Sequence, residues 1–148
     1  MYILKRILSA YTAPDILLGI YRTVEDAREA RRAYISSYHD GRREDPWEKQ
    51  GYHKVALEED VVILDTIPEF DIPPDAGKVM VISSYSEGFG QVVRKIHALC
   101  GSEKAARGAT DEARKEFIGG FPEAIEIETI EIGKALSDDK KLNTRPHV

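Results

Sequence analysis

Hydrophobic residues in the first half of the chain follow a strand pattern and then a helix pattern. Residues 2–9 and 16–22 are rich in aliphatic side chains, and Pro14-Asp15 between them indicates a turn. The helix that follows is predicted to begin after Thr23 as its N-cap. Its apolar face is formed by residues at helical spacing: Val24, Ala27, Ala30 and Tyr34. A third strand is predicted over 60–67, so the expected order is strand, strand, helix, strand.

The second half repeats this order, beginning with a predicted hairpin. Its strands are expected over 79–86 and 91–100, joined by the turn Glu87-Gly88-Phe89-Gly90. The second strand alternates between apolar and polar residues, which indicates a sheet with one buried side. Its apolar face holds Val92, Ile96, Ala98 and Cys100, and its other face holds Lys95 and His97.

A helix and a closing strand complete the second half. The helix is expected to begin at Ser102 and to end at Gly119-Gly120, with Ala106, Ala109, Ala113 and Phe117 on its apolar face. The closing strand is expected over 124–132. Its apolar positions change parity between Ile127 and Ile130, which predicts a β-bulge or a turned edge near Thr129.

The two halves resemble each other at the level of residues as well as elements. A shift of 79 places Tyr2-Ile3 on Val81-Ile82 and Ala27-Arg28 on Ala106-Arg107. A shift of 63 relates the two closing strands, so the first copy carries an insertion after its helix. The chain is therefore divided into a first repeat over 1–67 with an insertion at 38–54, a linker at 68–77, a second repeat over 78–133 and a polar tail at 134–148.

These elements predict an α+β fold in which two tandem ββαβ repeats pack as a pseudo-twofold domain, with antiparallel sheet and two helices. The linker contains Pro68, Pro73 and Pro74, which cannot continue a helix or a central strand. The tail after Lys134 is expected to be frayed. Sheets of three strands leave edges open, which favours a homodimer.

The junction between the second strand and the helix resembles a known kind of small domain. The string Gly19-Ile20-Tyr21-Arg22-Thr23-Val24-Glu25-Asp26-Ala27 is similar to the same junction in small bacterial ββαβ domains, and Ile127-Glu128-Thr129-Ile130-Glu131-Ile132 looks like their closing strand. The resemblance covers about a quarter of the chain. It implies the ββαβ fold and transfers no catalytic residue, because those domains have no assigned activity.

Composition narrows the classes of protein that remain. The 148 residues are 42% hydrophobic and 32% charged, with a net charge of −5, which argues against coating of nucleic-acid phosphates. One Cys excludes an intramolecular disulfide framework, and Cys100 in its apolar context is expected to be a core residue. Lys5 and Arg6 interrupt the first apolar segment, and no run approaches the length of a membrane span. A cytoplasmic protein without membrane association is therefore expected.

The insertion at 38–54 is the strongest candidate for a binding surface, because a long polar loop inside a compact domain usually has a function. It contains the only Trp and two of the four His. The candidate contact residues are His39, Arg42, Arg43, Trp47, Tyr52 and His53, together with Phe89 at the second hairpin. Arginines beside aromatic residues are typical of binding hot spots, and they also suit flat anionic ligands.

The sequence shows no spacing that is typical of catalysis. His39, Asp40 and His53 do not match a known metal-ligand pattern, so neither a metal nor a cofactor is predicted. No Gly-x-Ser-x-Gly elbow occurs, and His97 is expected to be a strand residue instead of a general base. Arg28, Arg31 and Arg32 follow Glu25 and Glu29 on the helix, which predicts a salt-bridged face exposed to solvent.

The sequence thus favours a noncatalytic protein-binding module, such as a regulator or an inhibitor, that uses the insertion against a protein partner. Two alternatives remain. The chain is either a protein that binds or processes a small anionic, nucleotide-like ligand in a cleft between the repeats, or a structural homo-oligomer.

Overall fold

The computed structural model describes residues 1–8, 14–39, 53–88, 91–116 and 124–138. Within these ranges the chain has an α+β fold with three helices and two sheets, and it divides into two compact units. The first unit contains residues up to 65 together with 133–138, and the second contains 66–132. None of the helices in the described ranges has the length and hydrophobicity of a membrane span.

The first unit has an antiparallel sheet of three strands with two helices. Its elements are β1 (Tyr2–Arg6), β2 (Ile16–Tyr21), α1 (Val24–His39), α2 (His53–Asp60) and β3 (Val61–Leu64). The strand order is β2-β1-β3, so β1 is central. The prediction of Thr23 as N-cap is confirmed, because the Asp26 amide donates a hydrogen bond to Thr23 Oγ1 at 3.1 Å. Ala27 lies in a core that also includes Leu4 and Leu18.

The helix α2 was not predicted, and the expectation of two helices is wrong for that reason. Its first two residues fall within the predicted insertion at 38–54, and among its described side chains Leu57 lies in the core. Arg31 holds the end of α2 from the side of α1. Its guanidinium donates to the Glu58 carbonyl and, through Nε, to the Val61 carbonyl at 2.8 Å. The predicted salt-bridged face is confirmed for Arg32, which pairs with Glu29.

The second unit contains a mixed sheet of four strands covered by one helix. Its elements are β4 (Glu69–Phe70), β5 (Lys78–Gly88), β6 (Gln91–Cys100), α3 (Glu103–Lys115) and β7 (Ala124–Glu131). The order is β4-β6-β5-β7, with β4 parallel to β6 and the other pairs antiparallel. The sheets were predicted to be antiparallel throughout. The exception is β4, a short edge strand within the predicted linker.

Of the two alternatives predicted near Thr129, the β-bulge is absent. β5 and β7 pair without a break from Lys78 opposite Glu131 to Tyr85 opposite Ala124. The change of parity has another cause, since Ile127 is 48% exposed while Ile130 is 9% exposed. Ile127 is an apolar residue at an exposed position of an edge strand, and it produced the change of parity in the apolar pattern of β7.

The ungapped alignment of the two halves does not hold through the first strand. Tyr2 lies opposite Tyr21 in the first unit, whereas the residue opposite Cys100 in the second unit is Met80. A shift of 79 maps Tyr2 and Tyr21 onto Val81 and Cys100, so it predicts Val81 opposite Cys100. The strand registers therefore differ by one residue from the alignment predicted by sequence similarity.

Residues 134–138 pack beside β2 within the first unit, so the prediction that the chain frays after Lys134 is wrong for this segment. The Gly133 amide donates to the Ile20 carbonyl at 2.7 Å, and the Leu136 amide donates to the Leu18 carbonyl at 2.9 Å. Asp138 is only 7% exposed. Its burial depends on partners about 100 residues away in the chain, which local polarity does not reveal.

Candidate functional site

A groove of about 670 Å³ lies beside α3 in the second unit. One wall is the segment Pro68–Asp71, which includes β4. The opposite wall is the face of α3 that carries small residues: Ala105, Gly108, Ala109 and Ala113. His97 and Ala98 of β6 complete the lining. The short side chains of α3 leave the space open, and Phe70 is 48% exposed at its edge.

Hydrogen bonds at Gly101 and Ser102 fix the two walls relative to each other. The amides of Leu99 and Gly101 donate to the carbonyls of Pro68 and Phe70, each at 2.9 Å. Ser102 is the N-cap of α3, since its Oγ accepts from the Ala105 amide at 3.1 Å. The same Oγ donates to Asp71 Oδ2 at 3.1 Å. The residue that begins the helix therefore also binds the end of the β4 segment.

His97 reaches the groove because of a β-bulge in β6. Ile82 pairs with Ala98, but the next residue, Ser83, pairs with Ile96, so His97 is the additional residue. Alternation would place His97 and Ala98 on opposite faces, as the sequence predicted. Both line the same groove, so that prediction is wrong, and the bulge is the physical reason.

The His97 ring lies between a buried hydroxyl and an exposed carboxylate. Its Nε2 is 2.7 Å from Ser84 Oγ, and its Nδ1 is 3.8 Å from Glu116 Oε2. Lys95 Nζ donates to the same Glu116 oxygen at 2.8 Å. Burial lowers the pKa of His97 below its ordinary value, an effect that Glu116 opposes and Lys95 reinforces. The ring is therefore neutral at pH 7 and provides hydrogen-bonding nitrogens instead of a charge.

Ser84, His97 and Glu116 are the residue types of a hydrolytic triad, but their arrangement does not support nucleophilic catalysis. Ser84 is 2% exposed and does not line the groove, so a substrate in the groove has no access to its hydroxyl. The distance of 3.8 Å from His97 to Glu116 exceeds that of a hydrogen bond. Ser84 instead orients the His97 ring.

Charged residues make the rim of the groove predominantly acidic. Glu69 and Asp71 lie on the β4 side, and Glu112 and Glu116 lie on the α3 side. Lys104 is the basic residue of the lining. The Lys95 ammonium beside Glu116 holds the pKa of that carboxyl below its usual range, so it is ionised at neutral pH. The apolar interior and acidic rim suit a ligand that carries both apolar and cationic groups.

The residues that the sequence singled out for binding lie outside this groove or outside the described residues. His39 is the last residue of α1 and His53 is the first residue of α2, but only their backbones are described. Arg42, Arg43, Trp47, Tyr52 and Phe89 lie outside the described residues. Among the described side chains, no group of three or more His, Cys, Asp or Glu is placed to hold a metal ion.

Sequence reasoning missed the groove for two reasons. Phe70 lies in a segment interpreted as a linker, and His97 was assigned to the wrong face of its strand. The small residues of α3 were the one available signal, because a helix face of alanine and glycine leaves room beside the sheet.

Comparison with known proteins gives no relative from which a role can be transferred. No protein-family model matches the chain, and neither the curated proteins nor the solved structures give a significant match.

Proposed function

We propose that this protein is a noncatalytic binding module, and that the groove beside α3 binds a polypeptide segment with apolar and basic side chains. The exposure of Phe70 above a wall of small residues is the observation that carries this proposal. Aromatic residues at the edge of an apolar recess are typical of binding hot spots. Glu112 and Glu116 already pair with Lys115 and Lys95. The carboxylates of Glu69 and Asp71 on the β4 side therefore favour lysine or arginine next to the apolar anchor.

The edge of the sheet supports a polypeptide over a small molecule. Within the described residues, β4 pairs with the outer edge of β6 at Leu99 and Cys100, and no described strand pairs with that edge from Gln91 to Ile96. Val93 on this stretch is 51% exposed. An extended peptide can add to such an edge through its backbone while one of its side chains enters the neighbouring groove.

The insertion at 38–54 is a second proposed contact surface for the same partner. This proposal is supported by the composition of the insertion, with Arg42, Arg43 and Trp47 close together in sequence.

We also propose that the two units descend from a duplication. In both units the first strand of the hairpin is flanked by the second strand and by the closing strand. The bulge residues Leu18 and His97 occupy corresponding places in the two hairpins, since each is skipped in its strand pairing. They are also separated by the predicted shift of 79 residues.

Native mass spectrometry of the full chain, purified gently from its own host, tests the binding function. We expect a stoichiometric protein partner with the wild type. Phe70→Ser should lose the partner, whereas Ile127→Ser should retain it, because both residues are 48% exposed but Ile127 lies outside the groove. Equal retention by both variants would contradict a role for the groove.

The same measurement separates the remaining alternatives. A retained mass of nucleotide size would favour a small-ligand protein, and an oligomer without any other component would favour a structural role. A variant combining Arg42→Ala, Arg43→Ala and Trp47→Ala should fold and lose the partner if the insertion contributes. Unchanged binding would remove the insertion from the interface.

A further inference from the structure

A buried polar cluster in the first unit is independent of the groove. Arg6 on β1 is completely buried. Its Nη1 donates to Tyr34 Oη at 3.1 Å, and its guanidinium carbon lies 6.0 Å from the centre of the Tyr38 ring. The two tyrosine rings meet edge to face with their centres 5.3 Å apart. One cation and two hydroxyl groups therefore converge at the same place.

The carboxylate of Asp138 occupies the point where these groups converge. Tyr34 Oη donates to Asp138 Oδ2 at 2.8 Å, and Tyr38 Oη donates to the same oxygen. Tyr34 thus accepts from Arg6 and passes a hydrogen bond on to the carboxylate. Burial is the main reason why the pKa of Tyr34 is raised, so its hydroxyl keeps its proton and remains a donor.

The residue that fills this site belongs to an accessory segment, not to the sheet or the helix. Residues 133–138 run beside β2 and are joined to it by backbone hydrogen bonds from Gly133 and Leu136. The groups that hold the carboxylate lie on β1 and α1. The donors are therefore fixed by the core of the unit. The acceptor is supplied by residues 133–138, which we call the strap.

We propose that Arg6, Tyr34 and Tyr38 form a carboxylate-binding site, and that Asp138 is its internal, displaceable ligand. The buried Arg6 guanidinium favours an anion nearby, and the hydroxyl groups of Tyr34 and Tyr38 donate directed hydrogen bonds to that anion. The same donors suit the carboxylate of an acidic side chain or of a peptide C-terminus. A partner with such a group would bind by releasing the strap 133–138.

Chemical rescue of Asp138→Ala tests the site in the full chain. Removal of the carboxylate should lower the Tm by about 10 °C, because the hydroxyl groups of Tyr34 and Tyr38 lose the buried acceptor that they share. Formate should restore at least about 2 °C more of the Tm than chloride at the same ionic strength. Formate should also act more strongly than acetate, because an alanine methyl plus formate approximates the volume of the lost side chain.

Two further arms make the test specific. Asp138→Asn fills the site with an uncharged group, so it should be destabilised but not rescued by formate. Phosphate in place of formate tests whether a larger oxyanion is accepted, and the site predicts a weaker rescue. Equal effects of formate and chloride on Asp138→Ala would overturn the proposal, as would an unchanged Tm in that variant.

Hydrogen exchange on the wild type decides the question if Asp138→Ala does not fold. High concentrations of formate should accelerate exchange of the Leu136 amide relative to the same concentration of chloride, because formate competes with Asp138. Exchange of the Ile3 amide, inside the sheet, should not change. Equal rates for Leu136 in the two salts would overturn the proposal.

Discussion

His97 Nε2 lies 2.7 Å from Ser84 Oγ, and this contact joins the bulge of β6 to the buried face of β5. Ser84 is almost inaccessible, at 2% exposure. The imidazole therefore has a fixed orientation, with Nδ1 on the side of Glu116. A histidine held in this way is a structural part of the groove. We therefore expect the stability of the folded chain to depend on the protonation of His97.

We predict that His97→Gln reduces the loss of stability at mildly acidic pH. Burial lowers the pKa of His97, so the unfolded chain takes up a proton near pH 6.5 while the folded chain does so only at lower pH. The corresponding stability is complete above about pH 6.5 and is lost as the pH falls. The slopes of the wild type and the variant should differ by up to about 1.4 kcal/mol per pH unit.

Urea unfolding at a series of pH values between 5 and 8 measures this difference. The other three histidines are present in both chains, so their contributions cancel. Parallel pH profiles of the two chains would show that folding does not lower the pKa of His97, and they would contradict the prediction.

Gly101→Ala should separate β4 from β6 and open the groove. A Cβ at this position would lie 1.9 Å from the Asp71 carbonyl oxygen, which belongs to the backbone and cannot rotate away. We expect a loss of about 1–3 kcal/mol in the free energy of unfolding. Gly77→Ala is the matched control, because no atom lies within 4 Å of its added Cβ. Chemical denaturation of both variants tests this, and a similar stability in the two would contradict it.

Arg31→Met should weaken the attachment of α2, whereas Arg32→Met should have little effect. Arg31 donates to two backbone carbonyls at the end of α2 and the start of β3, and its removal should cost about 1.5–3 kcal/mol. Arg32 forms an exposed pair with Glu29, which contributes about 0.5 kcal/mol or less. Thermal unfolding of the two variants compares them directly. An equal loss in both would mean that α2 does not depend on Arg31.

Cys100 should react slowly with thiol reagents in the folded protein. It is completely buried, and burial raises the pKa of its thiol, with the Asp71 carboxylate acting in the same direction. Labelling should be at least roughly tenfold slower in buffer than in concentrated urea. Equal rates in the two conditions would show that the core around Cys100 opens readily.

Local signals predicted most of the regular structure. Thr23 was predicted as an N-cap and Ser102 as the start of a helix, and both hydroxyls accept a hydrogen bond from one of the first free amides of their helix. The observed bounds of five strands differ from the predicted ranges by no more than two residues or lie inside them: β1, β2, β5, β6 and β7. Their hydrophobic pattern identifies them without knowledge of the partner strand. The core position of Cys100 followed from its apolar neighbours.

Long-range contacts produced the features that sequence reasoning missed. Arg6 was interpreted only as a charge that interrupts an apolar segment, yet it is completely buried. Its environment includes Asp138, which is separated from it by most of the chain. Similarly, β4 forms its ladder with residues about 30 positions later, although its proline-rich surroundings indicated a linker.

The sequence by itself therefore determined the α+β class, the positions of most strands and the start of two helices, because periodicity and capping act over a few residues. Only the tertiary structure decided which residues form a site. The skipped residue in β6 sets the face on which His97 lies, and the approach of Asp71 to Gly101 sets the groove. The strap brings Asp138 to Tyr34, which also binds Arg6. These relationships depend on register and on contacts between distant segments, which no local pattern specifies.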